Sequence, residues 1–391
     1  MLSKVYARLT ADRLTVLILV LFSAVGFQKY TLNGYNNFLI FSRPFYNLLH
    51  DTIIYGPHPT LYWDTYKYSP TFAWLMGPFY YLPVWLGVIL WNALNAGVLL
   101  AGLRAWFGNG PDRDRQYRIA VLIVMAEALI TAQNIQSNNL IAGCILLGLR
   151  ALQTHKPVRA AFFFALIGFI KFYGAAAAIF FLFYPGKFRF LAAMGVWTLL
   201  FAAAPLTILP FPSLLAQYQT WFQVVHDSKL GQLVSMLGIA EYWFGMAKTD
   251  ANLRVLETIG ASLFLLPLVR FRLWSSALYQ QRMAAFFLLF VIIFNKMAES
   301  PTYVLAVVGV AIWWMTLEQP GRYDRILLAL VIIFTSLSPT DLFPKFIRNE
   351  YFVPMNVKAM PCVLVWLRVM AQIWTQEVVR VTIKIPEPEL V

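Results

Sequence analysis

Residues 159–184 read RAAFFFALIGFIKFYGAAAAIFFLFY, and only Arg159 and Lys171 in that stretch carry a charge. Lys156 and Arg159 mark its start, and Lys187 and Arg189 follow its end. Basic residues stay on the cytoplasmic side of a membrane, so both ends lie inside. The stretch therefore predicts a hairpin with Lys171 at its apex. A spanning helix needs roughly 20 apolar residues to cross roughly 30 Å of hydrocarbon. Each arm here has only about a dozen, so the apex lies below the outer surface.

The composition extends that reading to the whole chain. Of 391 residues, 60% are hydrophobic and 13% charged. Soluble domains are about 45–50% apolar and about 25% charged. No polar block is long enough to hold a soluble domain, so residues 1–391 read as one integral membrane domain. The aromatic share of 16% suits membrane interfaces, where a ring keeps one edge wet. A net charge of +13 would suggest nucleic acid in a soluble protein. Here the cations fall at the ends of apolar runs and report topology, so nucleic acid is not expected as a partner. Cys144 and Cys362 lie in apolar segments and read as buried thiols. The first apolar run is long and no small-residue cleavage site follows it, so it reads as a span and not as a signal peptide.

The expected fold is an all-α polytopic membrane protein with roughly ten to twelve spanning helices and short re-entrant hairpins. The first span is 13–32, preceded by Lys4, Arg8 and Arg13, which puts the N-terminus inside. Residues 33–69 form a polar and aromatic outer loop. Residues 70–82, between Pro70 and Pro83, are too short to span and read as an interfacial or re-entrant helix. Residues 83–107 return inward to a basic loop. Residues 118–134 and 138–153 form a first hairpin with a tight turn, and 190–209 cross outward. A long outer segment, 210–250, contains an amphipathic stretch at 213–226 suited to a membrane surface. The runs 252–270, 282–296, 303–317, 325–340 and 357–374 alternate in direction. The tail, 375–391, ends inside. The chain is thus expected in the plasma or inner membrane, with both termini cytoplasmic and its informative loops on the outer face.

Ionisable residues at membrane depth are costly and are functional candidates by default. Glu127, Lys171, Lys296 and Glu299 stand out. Lys171, Lys296 and Glu299 lie toward the outer half, and Gln136 and Asn138 sit at the outer tip of the first hairpin. The loop 33–69 covers the same face, so these groups can converge on one outward cavity. A fixed ammonium there would hold a lipid phosphate and stabilise it as a leaving group. A carboxylate would take a proton from an attacking hydroxyl. Other readings stay open. Lys171 could snorkel from a helix end, Glu299 could pair with Lys296 on one helix face, and Glu127 could bond neighbouring helices. Asp112-Arg113-Asp114 has the D-x-D pattern of a nucleotide-sugar site but lies among arginines and reads as a solvated cluster. His58 and His226 lack partners at metal-ligand spacing, so neither a metal nor a cofactor is expected. Phosphate-binding glycine loops are absent.

The stretch Tyr66-Lys-Tyr-Ser-Pro-Thr-Phe-Ala, followed by Gly77-Pro-Phe, Leu82-Pro83, Leu90-Trp-Asn and Asn95, resembles the membrane glycosyltransferases of family 87. Gln136-Ser-Asn138 resembles that family's Q-x-N turn. Ile170-Lys171 resembles its K-P apex, with Phe172 in place of proline. Glu299-Ser-Pro301 resembles its S-P segment. The resemblance covers roughly residues 13–340 in order. It implies a GT-C type bundle that moves a sugar, often mannose, from a polyprenyl-phosphate donor to a glycan or glycolipid acceptor on the outer face. The transfer would be one inverting displacement. Lys171 would meet the donor phosphate, with Lys67 and Arg43 as further cations, and the polyprenyl tail would lie among membrane lipid. Lys345 and Arg348 add outer charge or are simply solvated.

Two positions depart from the family pattern. The expected base, an Asp early in the first outer loop, is replaced by Asn36 and Asn37, and an amide cannot take a proton. The histidine after the S-P segment is replaced by Thr302-Tyr303. A relocated base is expected, with Asp64 and Glu299 ahead of Asp51. Asp64 also reads as a charge near the N-terminus of the following helix. Two other classes remain as alternatives: a transporter or flippase of lipid-linked sugar, and a catalytically silent lipid-binding relative.

Overall fold

The computed structural model describes residues 10–108, 112–226 and 234–377. Lys4 and Arg8, part of the outer segment at 227–233 and most of the 375–391 tail lie outside the described residues. Among the described residues all regular structure is helical, apart from an isolated bridge between Pro57 and Thr65.

The first span is α1 (Ala11–Thr31), capped by the Thr10 side chain, which accepts from the Arg13 amide. The loop expected on the outer side holds two short helices, α2 (Asn36–Ser42) and α3 (Pro44–Leu49). The stretch expected to be too short to span is broken in two, α4 (Pro70–Leu75) and α5 (Gly77–Tyr80). Proline at each first turn suits a helix start, where its missing N–H costs nothing. A long helix, α6 (Val84–Phe107), follows.

The first hairpin is α7 (Arg113–Gln133) and α8 (Asn138–Gln153). The second is α9 (Pro157–Ile170) and α10 (Phe172–Phe183), interrupted at Lys171, whose backbone is extended. The chain does reverse there. A side chain at Gly174 would meet Ile167 across the arms, and one at Gly186 would meet Pro157 at the base. Most of α10, Ala176–Phe183, is a 3₁₀ helix, which rises about 0.5 Å more per residue than an α-helix and lengthens a short arm.

The remaining chain forms α11 (Lys187–Thr207), α12 (Phe211–His226), α13 (Met236–Phe244), α14 (Asp250–Val269), α15 (Ala277–Ile293) and α16 (Ser300–Met315). Helix α17 (Arg322–Leu330) widens into a π-helical segment, Val331–Leu337, and α18 (Met360–Trp374) ends the bundle. Two kinds of helix result. Tyr303 to Trp313 of α16 is buried on every face, as a helix apolar all round should be in a core. By contrast α11 leaves Leu191, Val196, Leu199 and Leu200 exposed, and α14 leaves Val255, Ile259 and Leu265 exposed. Such apolar faces are unfavourable in water and are solvated by acyl chains. The chain is an integral membrane protein.

Helix α12 is amphipathic as expected, but its buried stripe grips protein. Leu214, Gln217 and Trp221 face inward. Gln217 donates to the Thr52 carbonyl at 2.8 Å and accepts from the Ile54 amide at 3.2 Å. The Trp221 indole donates to the Lys67 carbonyl at 3.2 Å. The helix is a strap across the first outer loop.

Glycines set the closest helix contact. A Cβ on Gly102 of α6 would lie 2.6 Å from the Gly143 carbonyl of α8, and one on Gly143 would collide with the Val98 carbonyl. Close backbone approach through small residues is a main source of helix association in lipid. Gly143→Ala is expected to destabilise the bundle by about 1–3 kcal/mol, seen as a lowered melting temperature in detergent.

Candidate functional site

The site is built on the turn between α7 and α8. Ile135 in that turn has φ +52°, a strained position for a β-branched residue. Three side chains of α6 fasten it. The Trp91 indole donates to the Ile135 carbonyl at 3.2 Å, and Asn92 Nδ2 donates to the Ala132 carbonyl at 3.2 Å. Asn95 Oδ1 accepts from the Leu140 amide at 3.1 Å. From the outer loop, Asn37 Nδ2 donates to the Asn134 carbonyl at 2.7 Å. A turn buried among membrane helices has little water to satisfy it, so side chains must.

Held this way, the turn presents its polar groups to two other elements. Asn138 Oδ1 accepts from Lys171 Nζ at 2.8 Å and from the Tyr173 hydroxyl at 3.3 Å. The Lys171 ammonium also lies 5.9 Å from the centre of the Tyr173 ring. Lys171 therefore turns inward and does not snorkel. Gln136 Nε2 points at Glu299 Oε2 at 3.5 Å. Four buried polar atoms of this turn lack any partner: Gln136 Oε1, Ser137 Oγ, Asn138 Nδ2 and Asn139 Oδ1. Unsatisfied buried groups are rare, and a cluster of them is suited to a polar ligand.

The loop before α4 is tied to the apex of the second hairpin. Ser69 Oγ donates to the Phe169 carbonyl at 2.5 Å and accepts from the Phe72 amide at 3.0 Å as an N-cap. The Tyr66 hydroxyl donates to the Ser69 carbonyl at 2.8 Å. This places Tyr68 within electrostatic reach of both Glu299 and Asp64, and burial with those two charges pushes its hydroxyl well above the usual range. Tyr68 therefore keeps a neutral hydroxyl.

A cavity of about 1020 Å³ opens beside Glu299. Its cations are Lys67, Lys248, Lys296, Arg348 and Lys358, and its acids are Glu241 and Glu299. Lys248 is paired with Glu241 at 2.7 Å, and Arg348 with Asp341 at 2.7 Å. Glu299 has no ion-pair partner among the described residues. Residues 294–299 form no helix, and no ion pair joins Lys296 to Glu299, so the expected helix-face pair is not formed. The lining has more cations than acids and suits an anion.

The structure divides the expected site residues. Glu299, Lys296 and Lys67 line the cavity, while Lys171, Gln136 and Asn138 cluster beside Glu299. Glu127 is fully buried below and forms an ion pair with Lys358 at 2.6 Å. Asn36 Oδ1 accepts from the Trp63 amide, so both Asn36 and Asn37 pin the outer loop. Asp64 is exposed and accepts from the Thr65 amide at 2.7 Å, well before the α4 cap at Ser69. Asp51 is exposed just after α3, and the Arg43 guanidinium packs 5.6 Å from the centre of the Tyr80 ring. Neither residue lines the cavity, and nor does Asp64. Asp112 and Asp114 flank the start of α7, where acidic charge favours the helix dipole. Sequence reasoning missed Lys358, Glu241 and Lys248. The signal for Lys358 was a lone lysine at the start of an apolar run.

The fold and site define an integral membrane protein whose helical bundle holds a net-cationic cavity beside a break in one of its hairpins. The sequence model of glycosyltransferase family 87 matches residues 66–339, and the chain belongs to that family. It is a membrane glycosyltransferase, which uses a sugar donor and an acceptor in the membrane. The match spans Lys67, Gln136, Asn138, Lys171, Lys296 and Glu299, but not Lys358. No curated protein sequence matches the chain.

Asn138→Ala removes the acceptor that fixes Lys171. A loss of about ten- to hundredfold in kcat/KM for sugar transfer is expected, since small misplacements of a binding group cost that much. A transfer assay on protein with unchanged melting temperature checks it.

Proposed function

We propose that this glycosyltransferase moves a hexose, with mannose the first candidate, from a polyprenyl-phosphate donor to a glycan or glycolipid acceptor. The cavity would open on the outer face, with both termini cytoplasmic. The observation that carries the reading is Glu299, the cavity carboxylate with no ion-pair partner among the described residues. An acceptor oxygen attacks the anomeric carbon of the donor sugar. The bond from that carbon to the phosphate oxygen breaks, and the polyprenyl phosphate leaves with the electron pair. Glu299 takes the proton from the acceptor hydroxyl. Attack opposite the leaving group inverts the anomeric centre. Lys67, Lys296 and Lys171 supply positive charge for the phosphate, which gains charge as it leaves. The polyprenyl chain lies against the lipid-facing helices.

Glu299 ranks ahead of Asp64 and Asp51 as the base because it alone of the three lines the cavity. Arg43 stands outside the phosphate set. Glu299→Gln is expected to lower kcat for transfer from a polyprenyl-phosphate mannose by about 10²–10⁴-fold. Asp64→Asn and Asp51→Asn should retain most activity. Full activity in Glu299→Gln removes it as the base. Movement of intact donor across vesicles without transfer would favour a flippase instead.

A further inference from the structure

The buried pair of Glu127 and Lys358 has no part in the scheme above. Glu127 sits in the middle of α7 with no exposed surface, and Lys358 precedes α18. Their oxygen and nitrogen are 2.6 Å apart. Removing two charges from water costs more than an ion pair returns in many proteins, and apolar residues of similar volume would pack as well. A charged pair at membrane depth therefore suggests use.

Three features show which partner faces the substrate. Lys358 lines the cavity, whereas Glu127 does not. The Lys358 ammonium has three N–H groups and donates one to Glu127 Oε1. The Tyr303 ring, with its centre 5.4 Å away, covers another side without accepting a full hydrogen bond. Glu127 Oε2 is buried and has no partner, so the carboxylate is engaged through one oxygen only. The backbone beneath Lys358 is also fixed. Thr335, in the π-helical segment after α17, donates to the Lys358 carbonyl at 2.8 Å. Wide turns of this kind are common at functional sites.

We propose that Lys358 binds the phosphate group of the lipid donor and of the lipid phosphate product, and that Glu127 holds its charge while the cavity is empty. This rests on the donor reading given above. Phosphate entering the cavity competes with Glu127 for the Lys358 ammonium. Binding strength is then set by the difference between the two partners. The two residues consequently act in opposite directions on phosphate binding, which a purely structural pair would not do.

The test measures binding of a short-chain prenyl phosphate to the purified full chain in detergent, alongside melting temperature. Lys358→Met is expected to weaken binding by about tenfold, the loss of one charged contact. Glu127→Gln is expected to tighten it by a similar factor, because the competing carboxylate is gone. Should either single variant fail to fold, the double variant Glu127→Gln with Lys358→Met removes both charges together and avoids a lone buried ion. It should fold and bind as weakly as Lys358→Met. Weakened binding in both single variants, or wild-type affinity in the folded double variant, would overturn the assignment. Wild-type binding that Lys358→Met leaves unchanged overturns this assignment alone. No prenyl phosphate binding by the wild type overturns the donor reading as well.

Discussion

The site depends on one buried turn and the side chains that satisfy it. Between α7 and α8 the backbone leaves helical geometry in surroundings with little water. Trp91, Asn92 and Asn95 supply the missing hydrogen bonds from a single helix face. Asn37 adds another from the outer loop, and Thr131, just before the turn, donates to the Pro301 carbonyl at 2.7 Å. That last bond joins the turn to the segment carrying Glu299. Each unmade bond would leave a buried polar group at about 1–3 kcal/mol, so the arrangement is strongly specified. The side chains of Trp91, Asn92 and Asn95 therefore serve positioning.

The second hairpin works by the opposite means. Its arms are nearly all apolar, and its apex breaks at Lys171 with an extended backbone. The break exposes no lone charge to lipid, because the ammonium is received by Asn138 from the first hairpin. Ser69 then ties the neighbouring carbonyl of Phe169 to the outer loop. The two hairpins satisfy one another's polar groups. The same logic extends to Glu127 on α7 and Lys358 in the turn before α18, a pair of opposite charges that neither segment would carry singly.

Around this polar centre the packing is simple. Helices α15 and α16 are enclosed, and a Cβ on Gly309 would lie 2.9 Å from the Ala285 carbonyl, so their backbones approach closely. Helices α11 and α14 contribute one face each and leave the rest to lipid. The strap α12 buries a polar residue, Gln217, against the first loop. It fastens the loop whose end, at Lys67, reaches the cavity.

The membrane class, the helix limits within a few residues and both hairpins were legible in the amino-acid order. Each depends on a local quantity: the length of an apolar run, or the position of a charge at its end. Lys171 and Glu299 were legible for the same reason, since a charge within an apolar run stands out. What the order of residues could not supply was partnership. Asn36 and Asn37 stand where the resemblance implies an acid, yet their side-chain amides bond the first loop and the turn. Asp64 and Asp51 carry the right chemistry but lie outside the cavity. Lys358 resembles an ordinary helix-end lysine until its contact with Glu127, 231 residues distant, is seen. Hydrophobic periodicity is a property of the chain and can be read from it. The pairing of buried charges depends on which helices pack together, and only the tertiary structure decides that.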